Sequence, residues 1–260
     1  MAEIEVFGGG IFGLSVAYAC QKRGANVRLI EKRQIGAGAS GGLLGALAPH
    51  TPDNWNDKKQ FQFESLIASA GFWAEIDALS GMSSGYGRSG RLVSLPDARA
   101  VELAQLRCKT AIDFWHETAD WTVVPYGHYR GWEPVSPTGY FSFDTLSARI
   151  DPHAACQSLA QAFQVIGGEV LVGTDQGRGA DVTVLATGFE GLNELTSELG
   201  APIGKGVKGQ GALLEFDARD QPQIFSEGIH FIAHQGGRVA VGSTTEIDWN
   251  DPTGTDQILE

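Results

Sequence analysis

The sequence predicts an α/β protein whose first unit is a parallel sheet of βαβ type. Three observations predict this fold class. Apolar residues at 4–7 run into a glycine-rich turn, and that turn runs into a helical pattern. A second apolar strand then ends on an acid, Glu31. Residues 181–188 form a further apolar strand that ends on small residues, which is typical of strands that end beside a ligand in open parallel sheets.

The glycine-rich turn has the spacing of a dinucleotide-binding site. Gly8, Gly10 and Gly13 stand in the pattern G-x-G-x-x-G. The first glycine permits a tight turn, the second lets a pyrophosphate approach the backbone, and the third lets helix and strand pack closely. The N–H groups and the dipole of the following helix favour phosphate. Glu31 follows Gly13 by 18 residues, where an acceptor for a ribose hydroxyl is expected. These features predict a Rossmann-like fold that binds a nucleotide with an unphosphorylated ribose.

The bulk composition is that of a globular protein of 260 residues, with 42% hydrophobic and 19% charged residues. The net charge of −12 disfavours binding to a nucleic-acid backbone. The three cysteines lie far apart and match no metal or redox spacing. We see neither a signal peptide nor an apolar run of membrane length. We therefore expect a cytoplasmic protein that contacts no membrane.

Small residues dominate positions 36–48, just before Pro49 and His50. Side chains this small let the backbone lie against a flat or highly charged group. With the N-terminal turn and the acid, this stretch resembles the D-amino-acid oxidase/glycine oxidase family of flavoproteins. The resemblance implies that FAD is the cofactor. It also places Ala39 and Ser40 near the FAD phosphates, the segment 45–47 near the isoalloxazine ring, and His50 just beyond the ring.

The strand that ends in Ala-Thr-Gly at 186–188 resembles the second flavin-site signature of the same family. The resemblance implies a set of cofactor-binding residues: Gly8, Gly10, Ile11, Phe12, Gly13, Glu31, Lys32, Ala39, Ser40, Gly41, Gly45, Ala46, Leu47, Ala186, Thr187 and Gly188. His50 is the one candidate for a catalytic role. The alternative interpretation, an ordinary loop histidine without a catalytic role, has equal weight. We predict no metal site, because His230 and His234 lie in a strand pattern without a third ligand nearby.

The resemblance also predicts the domain organisation. Residues 1–50 and 151–200 form a Rossmann-like FAD-binding domain. Residues 51–150 and 201–245 form an inserted α+β substrate domain on a mostly antiparallel sheet. Residues 246–260 begin a C-terminal segment. Family members continue with a further strand, an arginine-bearing segment that usually binds the substrate carboxylate, and a last flavin-binding turn. The resemblance therefore implies that the sequence is truncated at its C-terminus.

The sequence also makes specific predictions for two helices and for two lysines. Residues 58–76 form an imperfect amphipathic helix, and Asp97 is the N-cap of a helix over 98–115. Lys205 and Lys208 could attract a substrate carboxylate or activate oxygen, but solvated strand lysines are the favoured interpretation. The apolar side of the first helix is expected to include Phe61, Ser65, Ile67, Phe72 and Ile76.

The predicted function is the FAD-dependent oxidation of a C–N bond in a small amine or amino acid of the glycine, sarcosine or D-amino-acid type. Hydride transfer to the flavin gives an imine, which hydrolyses. The expected partner is this small substrate, not nucleic acid or membrane, and a homo-oligomer is left open. Four alternatives remain: a non-catalytic FAD- or ADP-binding module, a tRNA-wobble-uridine-modifying FAD oxidoreductase, an NAD-linked dehydrogenase, and a serine hydrolase. The last rests on a G-x-S-x-G match at 38–42 that lacks the required flanking strand and helix.

Overall fold

The computed structural model describes residues 2–255 and residue 257, which include thirteen strands and five α-helices. The helices are α1 (Ile11–Lys22), α2 (Asp57–Ser80), α3 (Ala98–Trp115), α4 (Pro152–Val165) and α5 (Gly188–Leu199). The strands are β1 (Glu3–Phe7), β2 (Asn26–Glu31), β3 (Ala46–Leu47), β4 (Arg91–Ser94), β5 (Trp121–Pro125), β6 (Tyr140–Asp144), β7 (Ala148–Arg149), β8 (Glu169–Val172), β9 (Val182–Leu185), β10 (Gly211–Leu214), β11 (Gln223–Ser226), β12 (Ile229–His234) and β13 (Arg238–Gly242).

The first sheet has four strands in the order β8-β2-β1-β9, and every neighbouring pair is parallel. This arrangement confirms the predicted βαβ unit. Helices α1 and α4 pack together beside this sheet. Val6, Leu14, Leu29, Leu159 and Phe163 are fully buried in one core between them. Because β1 lies between β2 and β9, the glycine-rich turn after β1 stands between the ends of two other strands.

The second sheet has seven strands in the order β10-β13-β12-β11-β4-β6-β5. All neighbouring pairs are antiparallel except β4 and β11. The predicted mostly antiparallel sheet is therefore confirmed. Leu92, Phe141 and Ile224 are buried on one face, where Phe231 and Trp132 pack against them. The opposite face carries polar side chains, and two of them, Gln223 and His234, contact the segments that join this sheet to the first one.

A short ribbon connects the two sheets. Strands β3 and β7 pair antiparallel, with Leu47 opposite Ala148. The amide nitrogen of Gln223, on the seven-stranded sheet, donates to the carbonyl oxygen of Ala148 at 3.1 Å. The ring Nε2 of His234 lies 2.9 Å from the carbonyl oxygen of Leu43. The segment that leads from the first sheet into β3 is thus held against the second sheet.

Helix α2 is longer than predicted, and the predicted apolar side is only partly right: Ile67, Phe72 and Ile76 pack against hydrophobic cores, whereas Phe61 and Ser65 are exposed. The side chain of Asn56 accepts the N–H of Lys59 and caps the helix, and Gly81 ends it in the left-handed conformation at φ +70°. The buried residues are Phe63, Leu66, Trp73 and Ile76. Of the five predicted positions only Ile76 is buried, and Phe61 is 74% exposed.

The physical reason is that α2 packs against two different cores. Phe63 and Leu66 pack with Trp115 near the start of α2. Trp73 and Ile76 belong instead to the core of the four-stranded sheet, where α2 packs on α4. One periodic stripe cannot describe a helix that buries different sides at its two ends.

The domain boundaries near residues 50, 150 and 200 stay an interpretation.

Helix α3 confirms its prediction at both ends, from Ala98 to Trp115. The carboxylate of Asp97 accepts the N–H of Ala100 at 2.8 Å, as an N-cap residue does. The sequence of residues 255–260 also predicts a cap and the first turn of a helix. Most of these residues lie outside the described ranges, so that helix stays a prediction.

Candidate cofactor and active site

The glycine-rich turn brings the ends of β1, α1 and β9 into backbone contact. Gly8 has φ +112°, and a Cβ atom there would lie 2.2 Å from the carbonyl oxygen of Ala186. A Cβ atom on Gly13 would lie 1.9 Å from the carbonyl oxygen of Gly8. Both distances are far below van der Waals contact, so neither position has room for a side chain. The absence of side chains at these two positions therefore lets the backbones of β1, α1 and the residue after β9 lie in direct contact.

The start of α1 is suited to a phosphate group. Its N-cap residue, Gly10, provides no side-chain cap, so most N–H groups of the first turn lack an internal partner. The exception is the N–H of Ile11, which donates to the hydroxyl oxygen of Ser40 at 3.0 Å. Ser40 lies in a short 3-10 helix, Ala39–Gly41. The loop that was expected near the phosphates therefore lies at the helix N-terminus. Phe12, in the same turn, has a side chain that is 81% exposed.

Glu31 lies at the end of β2, directly beside this turn. Its Oε2 accepts the N–H of Gly9 at 2.6 Å, and its Oε1 accepts the N–H of Arg33 at 2.8 Å. A carboxylate has about four acceptor positions, so two remain for ligand hydroxyls. The side chain is nearly buried, with 9% exposure. Glu31 thus fixes the glycine turn and still offers acceptors to a ribose.

The basic residues after Glu31 are directed to α5. The ammonium group of Lys32 lies 3.9 Å from a carboxylate oxygen of Glu190, and the guanidinium group of Arg33 lies 3.0 Å from the other. Glu190 is in the first turn of α5, just after the Ala-Thr-Gly segment at 186–188. These ion pairs connect the ends of β2 and β9.

The loop that leads to His50 lies against the backbone of the segment before α4. The carbonyl oxygen of Gly45 accepts the N–H of Ile150 at 2.9 Å, and a Cβ atom on Gly45 would lie 1.8 Å from the carbonyl oxygen of Ile150. Ala46 and Leu47 follow in β3. The N–H of His50 donates to the side-chain oxygen of Gln62 at 2.6 Å. His50 thus stands at the end of a loop whose course is fixed on both sides.

The polar face of the seven-stranded sheet, which we term the inner face, carries Arg91, Gln223, His230 and His234. Neighbouring strands place these residues in register, with Arg91 beside Gln223. The guanidinium Nε of Arg91 lies 3.3 Å from a carboxylate oxygen of Asp144, across from it on β6. Burial raises the pKa of Asp144, although Arg91 and Ser147 act in the opposite direction. Burial lowers the pKa of His230, and the charge of Arg91 lowers it further.

The two lysines in the second half differ in their surroundings. Lys205 is 59% exposed and lies 3.6 Å from Asp248, as expected of a solvated lysine. For Lys208 that expectation is wrong, because its side chain is only 9% exposed and its ammonium group lies 3.7 Å from Glu246. The backbones of Lys208 and Glu246 also form a β-bridge, which brings the two side chains together away from solvent.

The described ranges contain neither a metal-binding cluster nor a helix that could span a membrane. No group of three or more His, Cys, Asp or Glu residues there is placed to hold a metal ion. His230 and His234 lie on the same face of β12, which is a strand as predicted, and Ile232 stands between them on that face. Among residues 2–255 and 257, none of the helices has both the length and the apolar character needed to cross a membrane.

The site residues fit a flavin dinucleotide. The uncapped start of α1 suits the pyrophosphate, and the carboxylate of Glu31 suits a ribose. The comparison with known protein families identifies the dinucleotide that this site binds. The profile described as "FAD dependent oxidoreductase" matches residues 3–260. The chain belongs to this family. FAD is accordingly its cofactor, and the protein is an FAD-dependent oxidoreductase.

Solved structures of this oxidoreductase fold support the assignment. The iminodiacetate oxidase of Chelativorans sp. BNC1 matches with a TM-score of 0.77 at 19% identity, covering 98% of this chain and 75% of that one. The glycine oxidase of Bacillus cereus matches with a TM-score of 0.74 at 20% identity, covering 95% and 72%. In sequence, the glycine oxidase of Bacillus licheniformis is 24% identical over 276 residues, covering 95% of this chain and 70% of the relative. Likeness at this level of identity shows the fold.

The structure of this oxidoreductase brings together most of the residues expected from the sequence. The ends of β1, β2 and β9 meet at the glycine turn, and the 39–41 segment joins them. The segment 45–50 lies farther along the same loop, towards the inner face. Sequence reasoning missed Arg91 and Asp144, and it considered His230 only as a metal ligand. Their one signal in the sequence is an ionisable residue at or near the end of a strand that is otherwise mostly apolar or aromatic.

Proposed function

We propose that this FAD-dependent oxidoreductase oxidises the C–N bond of a small amine or amino acid. The observation that supports this most directly is the arrangement of the 39–50 loop. It starts at the N-terminus of α1, where Ser40 accepts the N–H of Ile11. It then reaches the inner face of the second sheet, where the carbonyl oxygen of Leu43 lies beside His234 and that of Pro49 lies beside Arg91. A cofactor that follows this loop would extend from a nucleotide site into the gap between the sheets. A small substrate would then lie against the inner face.

The residues that would hold FAD are those already placed around the glycine turn. The N–H groups at the start of α1 and the hydroxyl of Ser40 would hold the pyrophosphate, and Glu31 would hold a ribose. The small residues Gly45 and Ala46 would lie along the ring. When bound, FAD supplies the hydride acceptor for the C–H bond next to the substrate nitrogen.

The protein groups then have to orient the substrate and handle its protons. A neutral amine is needed for oxidation, so the ammonium group of the substrate must first lose a proton. His50 is the proton acceptor that we propose, since its backbone is fixed by Gln62 at the end of the loop. The inner face limits access of water during oxidation. Water afterwards hydrolyses the imine product to a carbonyl compound and releases the amine nitrogen.

An absorption spectrum of the purified full-length protein tests this proposal. We expect a visible flavin band that bleaches under anaerobic conditions on addition of glycine, sarcosine, proline or a D-amino acid. A colourless protein that binds only ADP would contradict the proposal and favour a binding module. A flavoprotein that retards tRNA in a gel and ignores all four substrate types would also contradict it. The net charge of −12 disfavours that second outcome.

A further inference from the structure

Two glycines form a depression in the inner face of the seven-stranded sheet. Gly211 on β10 and Gly242 on β13 stand opposite each other in register, and Gly242 also stands opposite His230 on β12. Residues that stand opposite each other on neighbouring strands point to the same side of a sheet. Both glycines therefore belong to the face that carries His230, and the absence of their side chains leaves a space there, which we term the glycine notch.

The side chain of Leu44 fills the glycine notch. A Cβ atom on Gly211 would lie 2.9 Å from the Cδ1 of Leu44, and a Cβ atom on Gly242 would lie 3.1 Å from the same carbon. Both distances are shorter than the ordinary contact between two carbon atoms, about 3.5–4.0 Å. One methyl group of Leu44 therefore occupies space that side chains at either position would need.

The residues on both sides of Leu44 are also held in place. The ring Nε2 of His234 lies 2.9 Å from the carbonyl oxygen of Leu43, so a polar contact joins the same loop to the inner face. A Cβ atom on Gly45 would lie 1.8 Å from the carbonyl oxygen of Ile150, so the backbone of Gly45 is in direct contact with the segment before α4. The position of the loop is thus fixed immediately before and immediately after Leu44.

From this arrangement we propose that Leu44 is a positioning residue for the flavin ring. The inference rests on the proposed function, which places Gly45 and Ala46 along that ring. Leu44 directly precedes them, so the depth to which its methyl group enters the glycine notch sets the distance of their backbone from the inner face. The same depth then sets the space between the ring and a substrate on that face. Rates depend steeply on such distances, since a displacement of about 1 Å can lower a rate about a hundredfold.

An exchange of size between Leu44 and Gly211 tests this role in the flavin-loaded full-length protein. Leu44→Ala empties the notch, and Gly211→Ala places a methyl group beside the Cδ1 of Leu44 and displaces it. Each variant should lower the rate of anaerobic flavin reduction by the substrate by about tenfold to a hundredfold. Each should also change the visible circular dichroism of the bound flavin, which reports the surroundings of the ring. The Kd for FAD should stay unchanged, because the phosphate and ribose contacts are intact.

The double variant makes the test specific to this contact. With alanine at both positions, the methyl group of residue 211 enters the space that the truncated residue 44 leaves. The loss in rate should therefore be smaller than the two single losses combined, and the dichroism should return towards that of the wild type. The exchange uses Gly211 because Gly242 has φ +152°, where any other residue would be strained.

Two matched substitutions serve as controls. Gly236→Ala lies in the turn between β12 and β13, where a Cβ atom would meet no heavy atom within 4 Å. Leu106→Ala truncates a leucine of α3 whose side chain is 58% exposed. Both should match the wild type in reduction rate and in flavin dichroism.

The outcomes separate this inference from the function on which it rests. A Leu44→Ala variant with the reduction rate and dichroism of the wild type would overturn the role of Leu44 alone. Losses that simply combine in the double variant would also overturn it, because they would show that the two residues act independently. Weaker FAD binding with an unchanged rate of reduction would assign Leu44 to cofactor affinity instead of ring position. If substrates never reduce the wild-type flavin, the proposed function is contradicted, and the dichroism of the variants still decides the role of Leu44.

Discussion

At the scale of single residues, Glu31 links the two halves of the nucleotide site. Each of its carboxylate oxygens accepts a backbone N–H, one from the glycine turn at Gly9 and one from Arg33. The same carboxylate is therefore expected to hold the turn in place and to bind the ribose. Both tasks require acceptors on both oxygens, which is a property of an ionised acid and not of an amide.

We predict that Glu31→Gln raises the Kd for FAD by about tenfold to a hundredfold. The amide keeps one acceptor and replaces the other with a donor that faces the N–H of Gly9 or Arg33. A lost hydrogen bond to a charged group costs about 1.5–3 kcal/mol, which corresponds to that range. A flavin fluorescence titration measures it. Glu194→Gln makes the same chemical change on an exposed part of α5 and should leave the Kd unchanged. Equal affinities in the two variants would contradict the role of Glu31.

At the scale of elements, α1 lies unusually close to β1 because Gly13 has no side chain. A matched pair of glycines tests this. Gly13→Ala puts a Cβ atom 1.9 Å from the carbonyl oxygen of Gly8, so α1 must move away from β1. We expect a loss of about 1–3 kcal/mol in the free energy of unfolding, together with weaker FAD binding. Urea unfolding and flavin fluorescence measure the two effects.

The control for that prediction is Gly71→Ala, also within a helix. A Cβ atom on Gly71 would have no heavy atom within 4 Å beyond its own helix and chain neighbours. Alanine favours the helix by about 1 kcal/mol over glycine, so Gly71→Ala should leave stability equal or higher. Equal destabilisation by both substitutions would mean that close packing at Gly13 is not the cause.

Asp53 joins two helices through ionic contacts. Its carboxylate oxygens lie 3.1 Å from the ammonium group of Lys59 on α2 and 2.6 Å from the guanidinium Nε of Arg107 on α3. Burial acts to raise the pKa of Asp53, but hydrogen bonds from Thr51, Arg107 and Lys59 outweigh it and lower the pKa to about 2. Because the folded state holds this carboxyl group ionised, acid should weaken the connection between α2 and α3.

We predict that Asp53→Asn lowers the free energy of unfolding by about 2 kcal/mol at pH 7, because the folded state lowers the pKa of this carboxyl group to about 2. A depressed pKa stabilises the folded state above the ordinary value near 4. That contribution is lost as pH falls from about 4 to about 2. The difference between wild type and variant should therefore shrink over this range in urea unfolding. Asp113→Asn, at an exposed position on α3, should show no such trend. A difference that stays constant with pH would contradict the prediction.

The elements of this fold differ in how far the sequence predicts them. The bounds of α3 were predictable because Asp97 is a cap that acts locally. The buried side of α2 was not, because two separate cores select different sides of one helix. The apolar pattern at 91–95 predicts a strand that begins at Arg91, but it predicts no role for that residue. Alternation along a strand shows that a residue faces one side of its sheet, but only the packing of the two sheets shows which side faces the site.

At the scale of the whole molecule, three buried polar side chains hold the seven-stranded sheet against the segments 43–47 and 148–149, which join it to the four-stranded sheet. Gln223 donates to the carbonyl of Ala148, His234 contacts the carbonyl of Leu43, and Arg149 extends from β7 to the carbonyl of Ala233 on β12. Each of these side chains contacts a backbone carbonyl group of a neighbouring segment. Each therefore contributes more to the relative position of the two segments than to the burial of apolar area. The gap proposed for flavin and substrate is bounded by the same two sheets. Its geometry should therefore depend on these contacts.

We predict that Arg149→Met uncouples the unfolding of the two sheets. The substitution leaves buried carbonyl oxygens without their charged donor, at a cost of about 3 kcal/mol, and removes a contact that spans the junction. Calorimetry should then show two transitions in place of one, because two-state behaviour requires the parts to unfold together.

Arg88 is the matched control, since its exposed guanidinium group also donates to two carbonyl oxygens, those of Thr118 and Thr145. These carbonyls belong to the connections that flank β5 and β6 in the second sheet, so Arg88→Met should preserve a single transition. A single transition in Arg149→Met, shifted no further than in Arg88→Met, would show that the buried guanidinium does not couple the sheets.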